Sequence, residues 1–347
     1  MLLTELLGIR FPLIQAPMAG VQDGTLAIAV ANAGGLGSLP GAMLDETGLR
    51  AELIKISAAT ASSYNVNFFC HQSLPANTQQ DVQWRQALAP YYQELGLAAD
   101  AITGSASRTP FGAAQAEILA EFAPPVVSFH FGLPAERLMD RVKAQGSRIL
   151  ASATTVAEAR WLEARGVDAI IAQGLEAGGH RGHFLSEDLS LQQGTFSLLP
   201  QIVEAVSLPV IAAGGIADAK GIRAAMTLGA SGVQLGTAFL CCHEATTSAL
   251  HRSALRSDAG SHTALTRLFS GRPARGIVNR LMKELGPLSE LAPHFPYASS
   301  ALAPLRAASE LLGFDDFSPL WAGQNRTGCH EMAAADLVYQ LSSAFRD

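Results

Sequence analysis

Charged residues make up only 16% of this 347-residue chain, and aromatic residues 7%. An average soluble domain is roughly 25% charged. With 48% hydrophobic residues, the chain is no disordered polymer, since disorder goes with low hydrophobicity and high net charge. The net charge of −6 is spread out, with no basic run and no acidic tail. Neither nucleic acid nor an anionic membrane surface finds an electrostatic footprint. Cysteine is scarce as well. Cys70, Cys241, Cys242 and Cys329 form neither a CxxC pair nor a secreted disulfide pattern. Adjacent Cys241 and Cys242 read as buried small hydrophobes rather than redox partners. The first residues, MLLTELLGIRF, show no basic leader and no small-residue cleavage site. One uncharged stretch, 224–243, is long enough to cross a bilayer. Its Gly229, Gly232 and Gly236, with Thr227, Ser231, Gln234 and Thr237, instead read as a helix end, a turn and a buried strand. A cytoplasmic protein with no membrane span is expected.

What the chain does have is a recurring unit: a short apolar run, a Gly, Pro or Asn break, then a helical stretch. Eight such runs are predicted strands: 12–18, 35–39, 64–69, 126–131, 148–154, 169–174, 209–215 and 232–239. Most are continuously apolar, as parallel strands covered on both faces must be. TVAE (155–158) predicts a capping box, Pro134 suits a first helical turn, and Asp218 caps a helix that Gly229 ends. Eight strands alternating with helices point to an α/β fold, a (β/α)8 TIM barrel; an open doubly wound sheet is the competitor. The organisation expected is barrel over 1–70, a helical insertion over 71–125, barrel again over 126–259 with a phosphate site, and a tail over 260–347. Insertion and tail together make a smaller, mostly helical second domain.

In such a barrel, chemistry collects where strands end. Those ends read as Gln15 to Met18, Asn67, His130, Gln173, Gly214–Gly215 and Gln234 to Thr237. IAAGGIAD (211–218) and QLGTAF (234–239) resemble the phosphate turns after the last two strands. Glycine lets peptide N–H groups approach an anion, Thr237 can donate, and a helix N-terminus adds its dipole. The GxGxxG spacing of a dinucleotide fold is absent from GGLGSLPG (34–41), which favours a phosphate-bearing cofactor such as FMN. EAGGHRGHF (176–184) delivers His180 to the site beside two glycines, where an imidazole can take a proton, donate a hydrogen bond or carry charge. His130 in SFHFG reads equally as catalyst or core histidine. His183 forms no metal pair with His180, because no acidic cluster completes it. Arg272 and Arg275 read as ties between tail and barrel, with anion attraction the alternative. Trp321 reads as packing.

These motifs, in order, resemble the nitronate monooxygenase family, formerly the 2-nitropropane dioxygenases. The resemblance rests on QAPMAG (15–20), GGLGSL (34–39), NVNFFC (65–70), SFHFG (128–132), AQGLEAGGHRGHF (172–184), PVIAAGGIAD (209–218), VQLGTAF (233–239), SGRPARGIVN (270–279) and PLWAGQ (319–324). It is nearest the group acting on propionate 3-nitronate. It implies non-covalent FMN surrounded by Met18, Asn67, Gln173, Gly178, Gly215, Gln234, Leu235, Gly236 and Thr237, with His180 and His130 as catalytic residues on the substrate side. The implied reaction oxidises a small anionic nitronate with O₂ to an aldehyde, ketone or oxo acid plus nitrite or nitrate. It needs neither metal nor NAD(P)H. One stretch departs from the family. HFPYASSA (294–301) carries Phe295 and Ser299 where polar groups are expected, with Tyr297 as a substitute, so the substrate range is open. Also open are an FMN-dependent quinone or enoyl-acyl carrier protein reductase, a flavin-binding protein without turnover, and a homo-oligomer. A cysteine-dependent inosine monophosphate dehydrogenase-like reaction is excluded, because 175–195 contains no cysteine.

Overall fold

The computed structural model describes residues 2–98 and 108–346. All eight predicted strands form: β1 (Leu13–Gln15), β2 (Gly37–Pro40), β3 (Tyr64–Phe69), β4 (Val126–His130), β5 (Arg148–Ala153), β6 (Ala169–Gln173), β8 (Val210–Ala213) and β9 (Gly232–Leu235). Three short strands were not foreseen: β7 (Gly179–His180), β10 (Thr263–Thr266) and β11 (Ala274–Ile277). The eight run parallel in the order β1-β9-β8-β6-β5-β4-β3-β2. A parallel bridge from Ile14 to Leu36 joins the two ends, with Gln15 N donating to Leu36 O at 2.9 Å and Leu36 N to Leu13 O at 2.8 Å. The sheet therefore closes into a TIM barrel, and the open-sheet alternative falls.

Strand parity decides what faces the lumen, because successive side chains point to opposite faces. Val66, Phe68, Val127, Phe129, Val233 and Leu235 point outward into the core beneath the helices. Their neighbours point in. At the bottom of the lumen Ile14, Leu36, Val126, Leu150, Ile171 and Ile211 pack on Leu3 and Leu7 of the first helix, Leu3–Leu7. Above this apolar plug lies a polar layer. Asn65 Nδ2 donates to Ser38 Oγ and Ser128 Oγ at 3.0 and 2.9 Å, and Asn67 Nδ2 to Ser128 Oγ at 2.9 Å. Buried polar groups must find partners. Here the Asn65 and Asn67 amide groups find the Ser38 and Ser128 hydroxyls, while Asn65 Oδ1 meets no described partner, and the layer forms the floor of the site.

The helices start as their side chains dictate. Asp23, Asp45 and Asp218 each accept a backbone N–H of the first turn. Only half of the TVAE capping box forms. Thr155 Oγ1 accepts Glu158 N at 3.2 Å, but the Glu158 carboxylate takes Thr154 N (2.7 Å) and Phe184 N (2.6 Å). It is drawn away by a loop with orphan N–H groups of its own. Pro134 precedes its helix, Glu136–Ala144, rather than entering the first turn. Gly229, with φ of +96°, follows its helix as expected.

Two helices follow the insertion's start. Thr78–Glu94 joins Ala298–Leu311 and Arg280–Leu285 around a separate core of Trp84, Leu88, Tyr92, Leu281, Leu302 and Phe317. The second, Ala113–Phe122, puts Ala116, Ile118 and Leu119 into the barrel's main core instead, where it serves as the helix between β3 and β4. The last helix, Ala334–Ser342, also packs on the barrel, against Gly24–Asn32. No helix among the described residues is long and apolar enough to span a membrane.

Candidate active site

A cavity of about 420 Å³ opens above the polar layer, between the barrel mouth and the tail. Of the eleven residues predicted for the site, ten line it: Met18, Asn67, His130, Gln173, Gly178, His180, Gly215, Gln234, Gly236 and Thr237. Leu235 does not. It follows inward-facing Gln234, so parity turns its side chain into the helix layer.

One end of the cavity is built from backbone. Gly214 and Gly215 leave β8 with φ of +115° and +74°, where a side chain would be strained. Gly178 sits against the tail so closely that a Cβ would lie 2.6 Å from Ala322 C. Three tail residues complete this end and were not anticipated. Gly323 N donates to Thr237 Oγ1 at 2.9 Å, Asn325 Nδ2 to Gly215 O at 2.9 Å, and Cys329 Sγ to Thr237 O at 3.0 Å. Accepting from Gly323 leaves the Thr237 hydroxyl proton for another partner. Cys241 meets Cys329 rather than Cys242. The contact with Cys329 and the nearby arginines lower the pKa of the Cys241 thiol. Buried Gln234 Oε1 has no hydrogen-bond partner among the described residues. An unpaired buried carbonyl beside a glycine cradle fits a polar, phosphate-bearing ring compound such as FMN.

The other end is built from rings. His180 lies on β7, which pairs with β11 so that His180 stands opposite Ala274. Its Nε2 is 2.8 Å from Ser270 Oγ, and Ser270 Oγ donates to Arg272 O at 3.2 Å. That chain assigns the His180 proton to Nε2 and leaves Nδ1 as the basic nitrogen. Burial, together with the charges of Arg108 and Arg272, pushes the His180 pKa well below its ordinary value. The ring is therefore neutral at pH 7, and positive potential at this end comes from arginine.

His130 is held differently. Nε2 lies 3.2 Å from the His180 carbonyl and must donate to it, while Nδ1 accepts from Ser152 Oγ at 3.0 Å. Both nitrogens are engaged, and burial lowers the pKa to about 3. His130 thus holds the His180 backbone in place. Gln173 does the same from β6, its Nε2 donating to His180 O at 3.0 Å and its Oε1 accepting Gly182 N at 2.8 Å. Beneath the loop, fully buried Arg181 donates to the carbonyls of Gly174 and Gln173 at 2.8 and 2.9 Å.

Phe69, Phe131 and Phe295 form an aromatic wall around His180. Trp321, expected only to pack, lines the cavity with its ring 5.6 Å from that of His180. Arg275 is structural, donating to Leu175 O at 2.9 Å. Arg272 lies 4.2 Å over the Phe131 ring. Tyr297 does not replace the missing polar groups; its hydroxyl donates to Leu74 O at 2.9 Å. His183 contacts Glu187 at 3.1 Å. No cluster suited to a metal ion occurs among the described residues.

A closed parallel barrel with a ligand cavity over its strand tips, roofed by its own tail, defines a barrel enzyme. The family model for nitronate monooxygenase matches residues 1–343. The chain is 43% identical over 343 residues to the nitronate monooxygenase of Paraburkholderia phytofirmans, covering 98% of this chain and 93% of that one. It is 41% identical to the nitronate monooxygenase of Pseudomonas aeruginosa, covering 99% and 98%. The solved nitroalkane oxidase of Streptomyces ansochromogenes superposes with a TM-score of 0.88 at 38% identity, covering 99% and 98%. The chain belongs to the nitronate monooxygenase family and is an oxidoreductase.

Proposed function

We propose that this protein oxidises small anionic alkyl nitronates, propionate 3-nitronate among them, with FMN and O₂. The products are an aldehyde, ketone or oxo acid and nitrite or nitrate. The observation that carries the reading is the pairing, in one cavity, of a glycine cradle with a neutral histidine whose free nitrogen is Nδ1.

FMN would be held by Gly215, Gly236 and Thr237 at its phosphate, and by Met18, Asn67 and Gln234 along its ring. Bound there, it supplies the electron acceptor between nitronate and O₂. The protein's own part is orientation. A nitronate already carries carbanion character, so it needs placement and positive potential more than a base. His180 Nδ1 meets the substrate side. It also gives the site a proton acceptor for a neutral nitroalkane, a slower substrate. Gln173 and His130 fix His180 through its carbonyl, and Ser270 fixes its ring. The aromatic wall excludes water from the reacting carbon.

The test is oxygen uptake by the purified yellow protein with propionate 3-nitronate, with and without NADH. Uptake without NADH and release of nitrite or nitrate are expected. NADH oxidation with a quinone or an enoyl thioester, and no uptake on the nitronate, overturns the reading.

A further inference from the structure

Four charged side chains line the cavity: Arg108, Glu176, Arg306 and Glu310. Three are satisfied within the protein. Arg306 Nε donates to Glu310 Oε1 at 2.7 Å, and Ser318 Oγ also donates to that oxygen at 2.7 Å. Glu176 accepts Thr195 N and Thr195 Oγ1 at 2.8 and 2.9 Å. Arg108 has no hydrogen bond or ion pair from its guanidinium to any described residue. Its contact is the Phe295 ring, 5.7 Å away. That ring lies 5.7 Å from the ring of His180, so one aromatic side chain borders both groups. That shared ring places Arg108 and His180 at the same end of the cavity. Among the described residues the guanidinium meets only an aromatic ring, and a charge removed from water is stabilised by a paired anion. The planar fork of arginine matches a carboxylate with two parallel hydrogen bonds.

Resting on the nitronate reading above, we propose that Arg108 is the specificity-determining residue of this site, binding a carboxylate at the far end of the substrate from the nitronate. The substrates it selects are nitronates with a terminal carboxylate a few bonds from the reacting carbon. Propionate 3-nitronate fits that description and a simple alkyl nitronate does not. Phe69 lines the cavity with Phe131 and Phe295 packed against it, and the low polarity of these rings strengthens the ion pair.

The experiment compares kcat/KM for propionate 3-nitronate with that for propyl 1-nitronate, in the FMN-loaded wild type and in Arg108→Met and Arg108→Lys. In Arg108→Met the preference for the carboxylated substrate falls at least thirtyfold, through KM, and Arg108→Lys restores part of it. An equal loss on both substrates assigns Arg108 to the nitronate group and overturns the proposal, as does an unchanged preference. A second measurement uses only the wild type. Succinate, whose second carboxylate stands in for the nitronate, is expected to compete at least tenfold more tightly than butyrate. Equal inhibition by the two overturns the proposal even if the variants do not fold. Failure of the wild type to oxidise either nitronate is a different result and removes the nitronate reading itself.

Discussion

The two ends of the cavity are made of different materials. The cradle end consists of peptide groups at the tips of β8 and β9, with glycine where a side chain would intrude and tail residues bonded across. The ring end consists of imidazole and phenyl groups brought from β3, β4, the loop after β6 and the tail. Backbone at a strand tip is fixed by the barrel itself. Rings must be fixed by other side chains: His130 is bonded at both nitrogens, and His180 at Nε2 with Nδ1 left open. The cradle is suited to holding a ligand common to many reactions, and the ring end to choosing one reaction.

The sharpest way to separate the ends is His180→Asn. It removes the basic nitrogen while leaving the cradle intact, so kcat/KM for a neutral nitroalkane should fall about 10³-fold, and that for a nitronate, which needs no base, by less, with flavin content unchanged. Wild-type turnover in that variant would deny the ring end its chemical role. Gly215→Val strikes the opposite end. A branched side chain at φ of +74° is strained and occupies the cradle, so FMN affinity should fall about a hundredfold. Normal flavin content by absorbance would count against a phosphate site there.

Acid should weaken the ring end through His130. The native His130 ring takes a proton only near pH 3, whereas an unfolded histidine does so near pH 6.5. Between those values the unfolded state binds more protons, so stability falls as pH is lowered through that window. At pH 5 the loss is about 2 kcal/mol from this residue, read as a melting temperature that drops less in His130→Gln than in the wild type. An equal drop in both would remove the linkage. Ser270→Ala should have the smallest effect. Losing one hydrogen bond to the His180 ring costs about 1 kcal/mol, a fivefold change in kcat. Wild-type kcat in that variant would show that the ring is held without Ser270.

The same contrast explains what could be read from the chain. The barrel was legible because eight apolar runs each met a turn signal, and Gly214–Gly215 and Gly236–Thr237 marked strand tips by chemistry local in sequence. Parity would also have excluded Leu235, since it alternates with Gln234. The ring end was less legible because its contacts are long-range. Nothing near Ser270 says that it meets His180, or that Arg108 faces the same space. β7 is invisible as two residues, becoming a strand only when β11 lies beside it. The helix Ala113–Phe122 reads as part of an insertion until its Ile118 and Leu119 are seen in the barrel core.

The route of the chain also has a consequence for its manufacture. Every barrel strand is available once residue 235 has been made, yet Gly24–Asn32 is also packed by Ala334–Ser342. Between the two the ribosome must deliver the tail that roofs the cavity. Throughout that interval the nascent barrel keeps an apolar seam open along Gly24–Asn32. The seam closes only after the tail that completes the site has been translated.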